Sequence, residues 1–169
     1  MPLNIAHRSP SQAAVSSRIT RGTLEICLYA TIGGGADEIS SQSFKAMLHA
    51  TTNYSRIALR INSHGSENGG IKHALSIRRQ LTATGKKVTA KVEGCCSTAA
   101  AIVATAADTV VMGTGSCMCL DAGFDDKKVV EALAQRSGQS REIIAAMLAD
   151  ERLLTAEECR KLGLCDHIR

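Results

Sequence analysis

Two short glycine-containing segments carry the residue types that acyl-transfer chemistry needs. Residues 61–66 have the sequence INSHGS, and residues 94–98 have the sequence GCCST. Each segment follows an apolar run and precedes a stretch with helical spacing. Backbone N–H groups at a helix start can stabilise a developing oxyanion, and a hydroxyl beside them can act as a nucleophile. Glycine turns before helices are more often structural than catalytic, so this pattern alone is weak evidence of an active site.

Strands and helices alternate around these two segments. Period-two or continuous apolar runs predict strands, and spacing of three to four residues predicts helices. The predicted strands are 23–30, 56–62, 86–94, 109–113, 116–120 and the final LCDHI, and the predicted helices are 38–50, 71–83, 98–107, 126–136, 140–150 and one that begins with the capping box of Thr155 and Glu158. This order predicts an α/β fold with a mostly parallel sheet and C-terminal helices. The two glycine segments would then meet at one edge of the sheet, where such folds bind ligands.

We expect a single domain over residues 21–169, preceded by a flexible N-terminal tail over residues 1–20. The tail holds both prolines of the chain, Pro2 and Pro10, and a cluster of serines. Its first residues contain no apolar signal-peptide core, and no apolar run in the chain is long enough to span a bilayer. These features predict a soluble protein without membrane contact.

The apolar composition is unusual because it consists of small and aliphatic residues. The 169 residues include 24 Ala and 14 Gly but no Trp, two Tyr and two Phe. Proteins that stack bases on aromatic side chains are disfavoured by this count, so we expect no nucleic acid partner. The net charge is +4, and the basic residues come as scattered pairs, which we interpret as solvated helix ends, with a phosphate-binding patch as the alternative.

Seven cysteines, an odd number, cannot all pair within one chain. Most lie in apolar strings such as VEGCCST and GSCMCL, as buried reduced thiols of cytoplasmic proteins do. The chain has no C-x-x-C pair, the spacing that zinc sites favour. We therefore expect structural thiols, no metal and no cofactor, and the alternative is a metal or redox cluster.

Three blocks of the chain resemble the Clp protease proteolytic subunit family and its phage-type relatives. LRINSHG (59–65) is similar to the family's LRINSPGG, and residues 92–121 are similar to its V-x-G-x-A-A-S-x-A-A…A-G-D…M…S-x-M-M-I-H block. Residues 137–168 are similar to its T-G-Q-S…L-S-A-x-E-A…G-L-x-D-x-I block. The resemblance covers about residues 21–169. It implies the ClpP/crotonase fold, a spiral of βαβ units, and the activity of a serine endopeptidase.

All three positions of the family's catalytic triad differ in this chain. Counting from Gly94 without a gap places Thr98 at the nucleophile position, and a loop tighter by one residue would place Ser97 there. Asp121 stands where the family has histidine, and Glu151 stands where it has aspartate. An ordinary aspartate has a pKa of about 3.9, too low for a general base at neutral pH. The substitutions therefore disable the standard Ser-His-Asp mechanism.

The oxyanion hole of the family corresponds here to Gly65, Ser66 and Ala99. Ser66 replaces a second glycine, and a side chain there is costly if the position requires a positive φ. His64 replaces the family's proline and is an alternative base. The simpler interpretation of His64 is a partly exposed loop residue.

The resemblance leads to one functional interpretation and two alternatives. The first is a weakly active or inactive peptidase homologue that binds peptide or unfolded protein. The alternatives are an active endopeptidase that uses Thr98 or Ser97, and a crotonase-like acyl-thioester binder. The family also implies a homo-oligomeric ring and an ATPase chaperone partner. Only 15 residues separate Asp121 from Ser137, fewer than in the family's peptidase subunits, so we expect single rings or smaller oligomers rather than stacked rings.

Overall fold

The computed structural model describes residues 15–65, 69–121 and 127–169. In these ranges the strands are β1 (Val15–Thr20), β2 (Thr23–Leu28), β3 (Arg56–Ser63), β4 (Lys87–Ser97), β5 (Thr109–Met112), β6 (Cys117–Cys119), β7 (Leu153–Thr155) and β8 (His167–Ile168). The helices are α1 (Ser41–Ala50), α2 (Gly70–Ala83), α3 (Thr98–Ala104), α4 (Lys127–Ser137), α5 (Arg141–Ala149) and α6 (Ala156–Lys161). None of these helices is both long and apolar enough to span a bilayer.

One mixed sheet organises the molecule. Its strand order is β1-β2-β3-β4-β5-β8, and all neighbours from β2 onward are parallel. The end of β4 pairs with β6, and β6 pairs in turn with the antiparallel strand β7. The α/β fold with a mostly parallel sheet and C-terminal helices is therefore confirmed.

The two faces of the sheet differ in character. On β3, Ile57, Leu59 and Ile61 are at most 1% exposed and belong to the main core. The intervening Arg60 is half-buried on the other face, where it contacts acidic residues. This period-two alternation is the reason that the strand could be predicted from the sequence.

Helix α3 explains the small-residue composition. Four of its seven residues are alanine, and all seven are buried. Alanine side chains let a helix backbone lie close to its neighbours inside a core, and α3 lies against α2, α4 and the sheet. The helix is anchored at its N-terminal end, where the candidate site lies.

The predicted tail over residues 1–20 is wrong for residues 15–20, which form β1. Strand β1 pairs with β2 through a tight turn in which Arg21 and Gly22 both have positive φ. Apart from Val15, the side chains of β1 are exposed. Its pairing depends on backbone hydrogen bonds, so no apolar alternation in the sequence indicated it. Residues 1–14 lie outside the described residues.

Strand β4 continues three residues beyond its predicted end at Gly94. The β3–β4 register pairs Ile61 with Val92 but Ser63 with Cys96, so β4 bulges between these pairs. The side chain of Asn62 fills the bulge and accepts a hydrogen bond from the Cys95 N–H at 3.0 Å. Gly94 permits this contact, because a Cβ at that position would lie 2.5 Å from the Asn62 Oδ1 atom.

Candidate functional site

Thr98 is the first residue of α3, and its side chain is completely buried. Its Oγ1 donates a hydrogen bond to the Cys119 carbonyl at 3.3 Å and accepts one from the Asp121 N–H at 2.9 Å. The first contact is with the last residue of β6, and the second is with the segment that follows it. The hydroxyl therefore links the start of α3 to the end of β6 and has its donor and one acceptor position engaged.

Ser97 is the last residue of β4 and is 1% exposed. Its Oγ donates to the Gly65 carbonyl at 2.9 Å and does not cap α3. This bond joins the two glycine-containing segments, which confirms that they meet at one edge of the sheet. It also occupies the only proton of the Ser97 hydroxyl.

The segments that precede Asp121 and follow Glu151 meet through the β6–β7 pairing. The antiparallel register pairs Cys119 with Leu153, and the Leu120 N–H donates to the Arg152 carbonyl at 3.1 Å. Glu151 is exposed and has a φ of +49° in the turn after α5.

Of the three positions that the resemblance compares with a catalytic triad, Thr98 and Asp121 are joined by a hydrogen bond. Glu151 is placed near them only through its neighbour Arg152, whose carbonyl accepts from the Leu120 N–H. Among residues 15–65, 69–121 and 127–169, no imidazole is hydrogen-bonded to the Thr98 or Ser97 hydroxyl.

The oxyanion residues are only partly described. Gly65 is exposed with a φ of +65°, a conformation that suits glycine, and Ala99 is buried in the first turn of α3. Ser66 lies outside the described residues. His64 is exposed, and its carbonyl accepts a hydrogen bond from the Thr31 hydroxyl at 3.0 Å. Within the described part of the chain its ring has no hydrogen-bond partner, so this geometry gives no support to His64 as a base.

A cluster of three thiols beside this site was not expected from the sequence. Cys95, Cys117 and Cys119 place their Sγ atoms within 4.8 Å of one another, and the Cys95 and Cys119 Sγ atoms are 3.6 Å apart. Burial, followed by the hydrogen bond with Cys119, raises the pKa of the Cys95 thiol to about 12, and burial also raises the pKa of Cys119. The Cys95 and Cys119 thiols are therefore protonated at neutral pH and are not activated nucleophiles.

The cluster arises from strand register, which the sequence does not show. Strands β4 and β6 are parallel, and Cys95 pairs with Cys117. Cys119 follows two residues later on the same face, because the intervening Met118 is buried on the other. The feature of the sequence that indicates this cluster is the C-x-C spacing of residues 117–119. The absence of a C-x-x-C pair does not exclude a thiol cluster, because paired strands can bring distant cysteines together.

A network of ion pairs continues along the half-buried face of the sheet. Arg60 donates to Glu25 at 3.1 Å and to Glu93 at 2.8 Å, and Glu93 also accepts from the Tyr29 hydroxyl at 2.6 Å. The hydrogen bond from Arg60 is the main reason that the pKa of Glu25 is lowered. Burial alone would raise the pKa of Glu93, but hydrogen bonds from Arg60, Tyr29 and Lys91 lower it.

A basic groove of about 780 Å³ lies between α2 and α4. It is lined by five cationic side chains and one acidic one: Lys72, Arg78, Arg79, Lys127, Lys128 and Glu131. Arg78 is held in place by hydrogen bonds to Thr105 at 2.8 Å and to Gln135 at 3.2 Å. Two of the basic pairs interpreted from the sequence as solvated helix ends, Arg78-Arg79 and Lys127-Lys128, thus converge on one groove.

Comparison with known proteins identifies the fold but no family. No protein-family model and no curated protein matches the chain. A peptidase from Plasmodium falciparum is 22% identical with a TM-score of 0.73, and the alignment covers 86% of this chain and 94% of that one. An enoyl-CoA hydratase/isomerase family member is 16% identical with a TM-score of 0.75, covering 92% of this chain and 69% of that one. An enoyl-CoA hydratase from Shewanella pealeana is 12% identical with a TM-score of 0.72, covering 92% and 68%. The chain therefore has the ClpP/crotonase fold.

Proposed function

We propose that this protein is a non-catalytic homologue of Clp-type peptidase subunits, which binds peptide or unfolded protein without hydrolysing it. The observation that carries the proposal is the buried Thr98 hydroxyl, fixed between the Cys119 carbonyl and the Asp121 N–H. The peptide-binding part rests on the sequence resemblance and on the similarity in fold to a peptidase.

A nucleophilic hydroxyl needs a base within hydrogen-bond reach that can take its proton. The proton of Thr98 points instead to a backbone carbonyl, which is not a base at neutral pH. Attack on a substrate would require breaking this bond in a buried site. Leaving one such buried partner unsatisfied costs about 1–3 kcal/mol, before the difficulty of removing the proton.

The Ser97 hydroxyl is likewise held by a backbone carbonyl. It is 1% exposed and donates to the Gly65 carbonyl, so it fastens the loop in which an oxyanion would bind. Rotating Ser97 toward a substrate would release that loop. Using either hydroxyl as a nucleophile therefore disrupts the site that would hold the substrate.

The carboxylates at the other two positions do not replace the lost imidazole. Glu151 is exposed, and Asp121 contacts Thr98 through its backbone N–H. Within the described residues, neither carboxylate is hydrogen-bonded to the Thr98 or Ser97 hydroxyl, which supports a site without a proton-transfer group.

The test combines hydrolysis and binding assays on the same preparation. We expect no cleavage of short fluorogenic peptides or of casein, together with saturable binding of a fluorescein-labelled unstructured peptide. Cleavage that disappears in Ser97→Ala or Thr98→Ala but persists in His64→Ala would establish the active endopeptidase instead. Absence of both cleavage and peptide binding would contradict the proposal. Native mass spectrometry tests the accompanying proposal of a homo-oligomeric ring, which a clean monomer would refute.

The basic groove favours a second candidate, a crotonase-like acyl-thioester binder. Lys72 lies in the first turn of α2, just after the loop that carries Gly65, and Lys127 begins α4. Cationic side chains beside that loop would suit the phosphates of a nucleotide-bearing thioester. Calorimetric titration with acetyl-CoA separates the candidates. Binding that is lost in Arg79→Ala and Lys127→Ala would favour the thioester binder. The absence of any heat of binding would exclude this candidate.

A further inference from the structure

We propose that Cys95, Cys117 and Cys119 form a binding site for a thiophilic metal ion of the Zn²⁺ class. The proposal rests on three Sγ atoms that lie within 4.8 Å of one another at one edge of the sheet. It does not depend on whether the protein binds peptide or a thioester.

The spacing of the sulfur atoms suits a shared metal ion. A tetrahedral zinc site with Zn–S bonds of about 2.3 Å separates its sulfur atoms by about 3.8 Å. The Cys95 and Cys119 Sγ atoms are already 3.6 Å apart, and both lie within 4.8 Å of the Cys117 Sγ atom. Side-chain adjustments of about 1 Å or less would complete the geometry. Three cysteines leave the fourth position open for water, as in zinc sites that have three protein ligands.

The strand backbone holds the thiols in this arrangement before a metal arrives. The pairing of β4 with β6 sets Cys95 beside Cys117, and the burial of Met118 fixes Cys117 and Cys119 on one face. A preorganised set of thiols binds a metal more tightly than the same residues in a flexible loop, because less chain entropy is lost. A fixed arrangement of this kind is not expected of cysteines that serve only as small apolar residues in a core.

Two further residues fix the backbone of the proposed ligands. The Asn62 side chain accepts the Cys95 N–H at 3.0 Å, and the Thr98 hydroxyl donates to the Cys119 carbonyl at 3.3 Å. Hydrogen bonds of this kind around a set of metal ligands help to orient the ligands. Thr98, the residue at the nucleophile position, would thus act as a positioning residue for the metal site.

The local charges are compatible with three thiolates. Binding replaces three S–H protons with one Zn²⁺ ion, the protons pass to solvent, and the site carries one negative charge in excess. The nearest carboxylate on β4, Glu93, is already paired with Arg60 at 2.8 Å and with Lys91 at 3.3 Å. Its charge is therefore compensated. Burial and, to a smaller extent, the Asp121 carboxylate raise the pKa of the Cys119 thiol, so the charge of the bound metal ion has to offset this carboxylate.

The experiment titrates the reduced full-length protein with Zn²⁺ and, as a spectroscopic probe, with Co²⁺. We expect one metal ion per chain and a thiolate-to-Co²⁺ charge-transfer band. Each of three single variants, Cys95→Ser, Cys117→Ser and Cys119→Ser, should weaken metal binding by more than about 100-fold. Replacing a residue that only hydrogen-bonds to a ligand weakens metal binding by about 10–100-fold. Cys27→Ser is the matched control, because Cys27 is a half-buried thiol outside the cluster, and it should bind like the wild type.

A measurement on the wild type alone tests the proposal even if the serine variants fail to fold. Zn²⁺ should slow the alkylation of Cys95, Cys117 and Cys119 and leave that of Cys27 unchanged. Equal protection of all four thiols, or a charge-transfer band that survives in the three serine variants, would overturn the proposal. A Cys95–Cys119 disulfide that forms in air equally fast with and without Zn²⁺ would assign the cluster to thiol oxidation instead.

Discussion

The backbone N–H of Asp121 donates a hydrogen bond of 2.9 Å to the hydroxyl of Thr98, and the proton of that hydroxyl goes to the carbonyl of Cys119. Through these two bonds, α3 is fastened to the end of β6 and to the segment that follows it. In the family that the sequence resembles, the corresponding pair of positions supplies the nucleophile and the base. Here the same pair forms a buried structural contact.

Loss of the Thr98 hydroxyl should destabilise the fold more than loss of its methyl group. Thr98→Val keeps the side-chain shape but leaves the Asp121 N–H and the Cys119 carbonyl without their partner, at a cost of about 1–3 kcal/mol. Thr98→Ser keeps both hydrogen bonds and removes one buried methyl, at a cost of about 1 kcal/mol. Urea denaturation of the two variants measures the difference. A valine variant as stable as the wild type would show that the two bonds contribute nothing.

Gly94 should tolerate no side chain, because Asn62 occupies the space. A Cβ on Gly94 would lie 2.5 Å from the Asn62 Oδ1 atom and would displace the acceptor of the Cys95 N–H. Forcing an extra methyl into a filled site costs about 1–3 kcal/mol. Gly115→Ala is the control, since its Cβ would meet no atom within 4 Å.

Thermal melts of the two glycine variants measure this effect. We expect a clear drop in the melting temperature for Gly94→Ala and almost none for Gly115→Ala. Equal melting temperatures for the two variants would show that the bulge in β4 can rearrange without cost.

The ion pairs of Arg60 should make stability fall at acidic pH. The pKa values of Glu25 and Glu93 are lowered in the folded protein, with Arg60 as a partner of both. Their stabilisation is therefore complete above the unfolded pKa of about 4.3 and is lost as the pH falls through the lower folded values. Because Arg60 is 37% exposed, solvent screening limits the effect to about 1 kcal/mol.

The free energy of unfolding, measured between about pH 7 and pH 3, shows whether stability falls as the pH is lowered. This range brackets the ordinary glutamate pKa. We expect Arg60→Met to be less stable than the wild type near neutral pH, with the difference shrinking below the unfolded pKa. Arg141→Met removes an exposed ion pair with Glu131 and should change the profile little. A constant difference between Arg60→Met and the wild type at every pH would contradict the proposed linkage.

The sequence predicted the parts of the fold that depend on side-chain patterns. Ile57, Leu59 and Ile61 alternate with polar residues, so β3 was recognisable, and the glycine-containing segments indicated the edge at which Ser97 meets Gly65. Strand β1 was missed because its exposed side chains carry no such pattern.

Features of the site that depend on long-range register could not be predicted. Cys95 and Cys117 become neighbours only when β4 and β6 pair in one particular register. The burial of Thr98 likewise depends on where the segment after β6 lies. A residue's type reveals that it has a hydroxyl or a thiol, whereas its partner in the fold determines whether that group is reactive.

The central claim, that neither hydroxyl at the start of α3 is a nucleophile, is tested most directly by intact-mass analysis after treatment with a fluorophosphonate probe. We predict that the wild type remains unlabelled between about pH 5 and pH 10, a range that spans the ordinary pKa values of histidine, cysteine and tyrosine. A mass increase of one probe per chain that is abolished by Thr98→Ala or Ser97→Ala would contradict the claim and establish an active hydrolase.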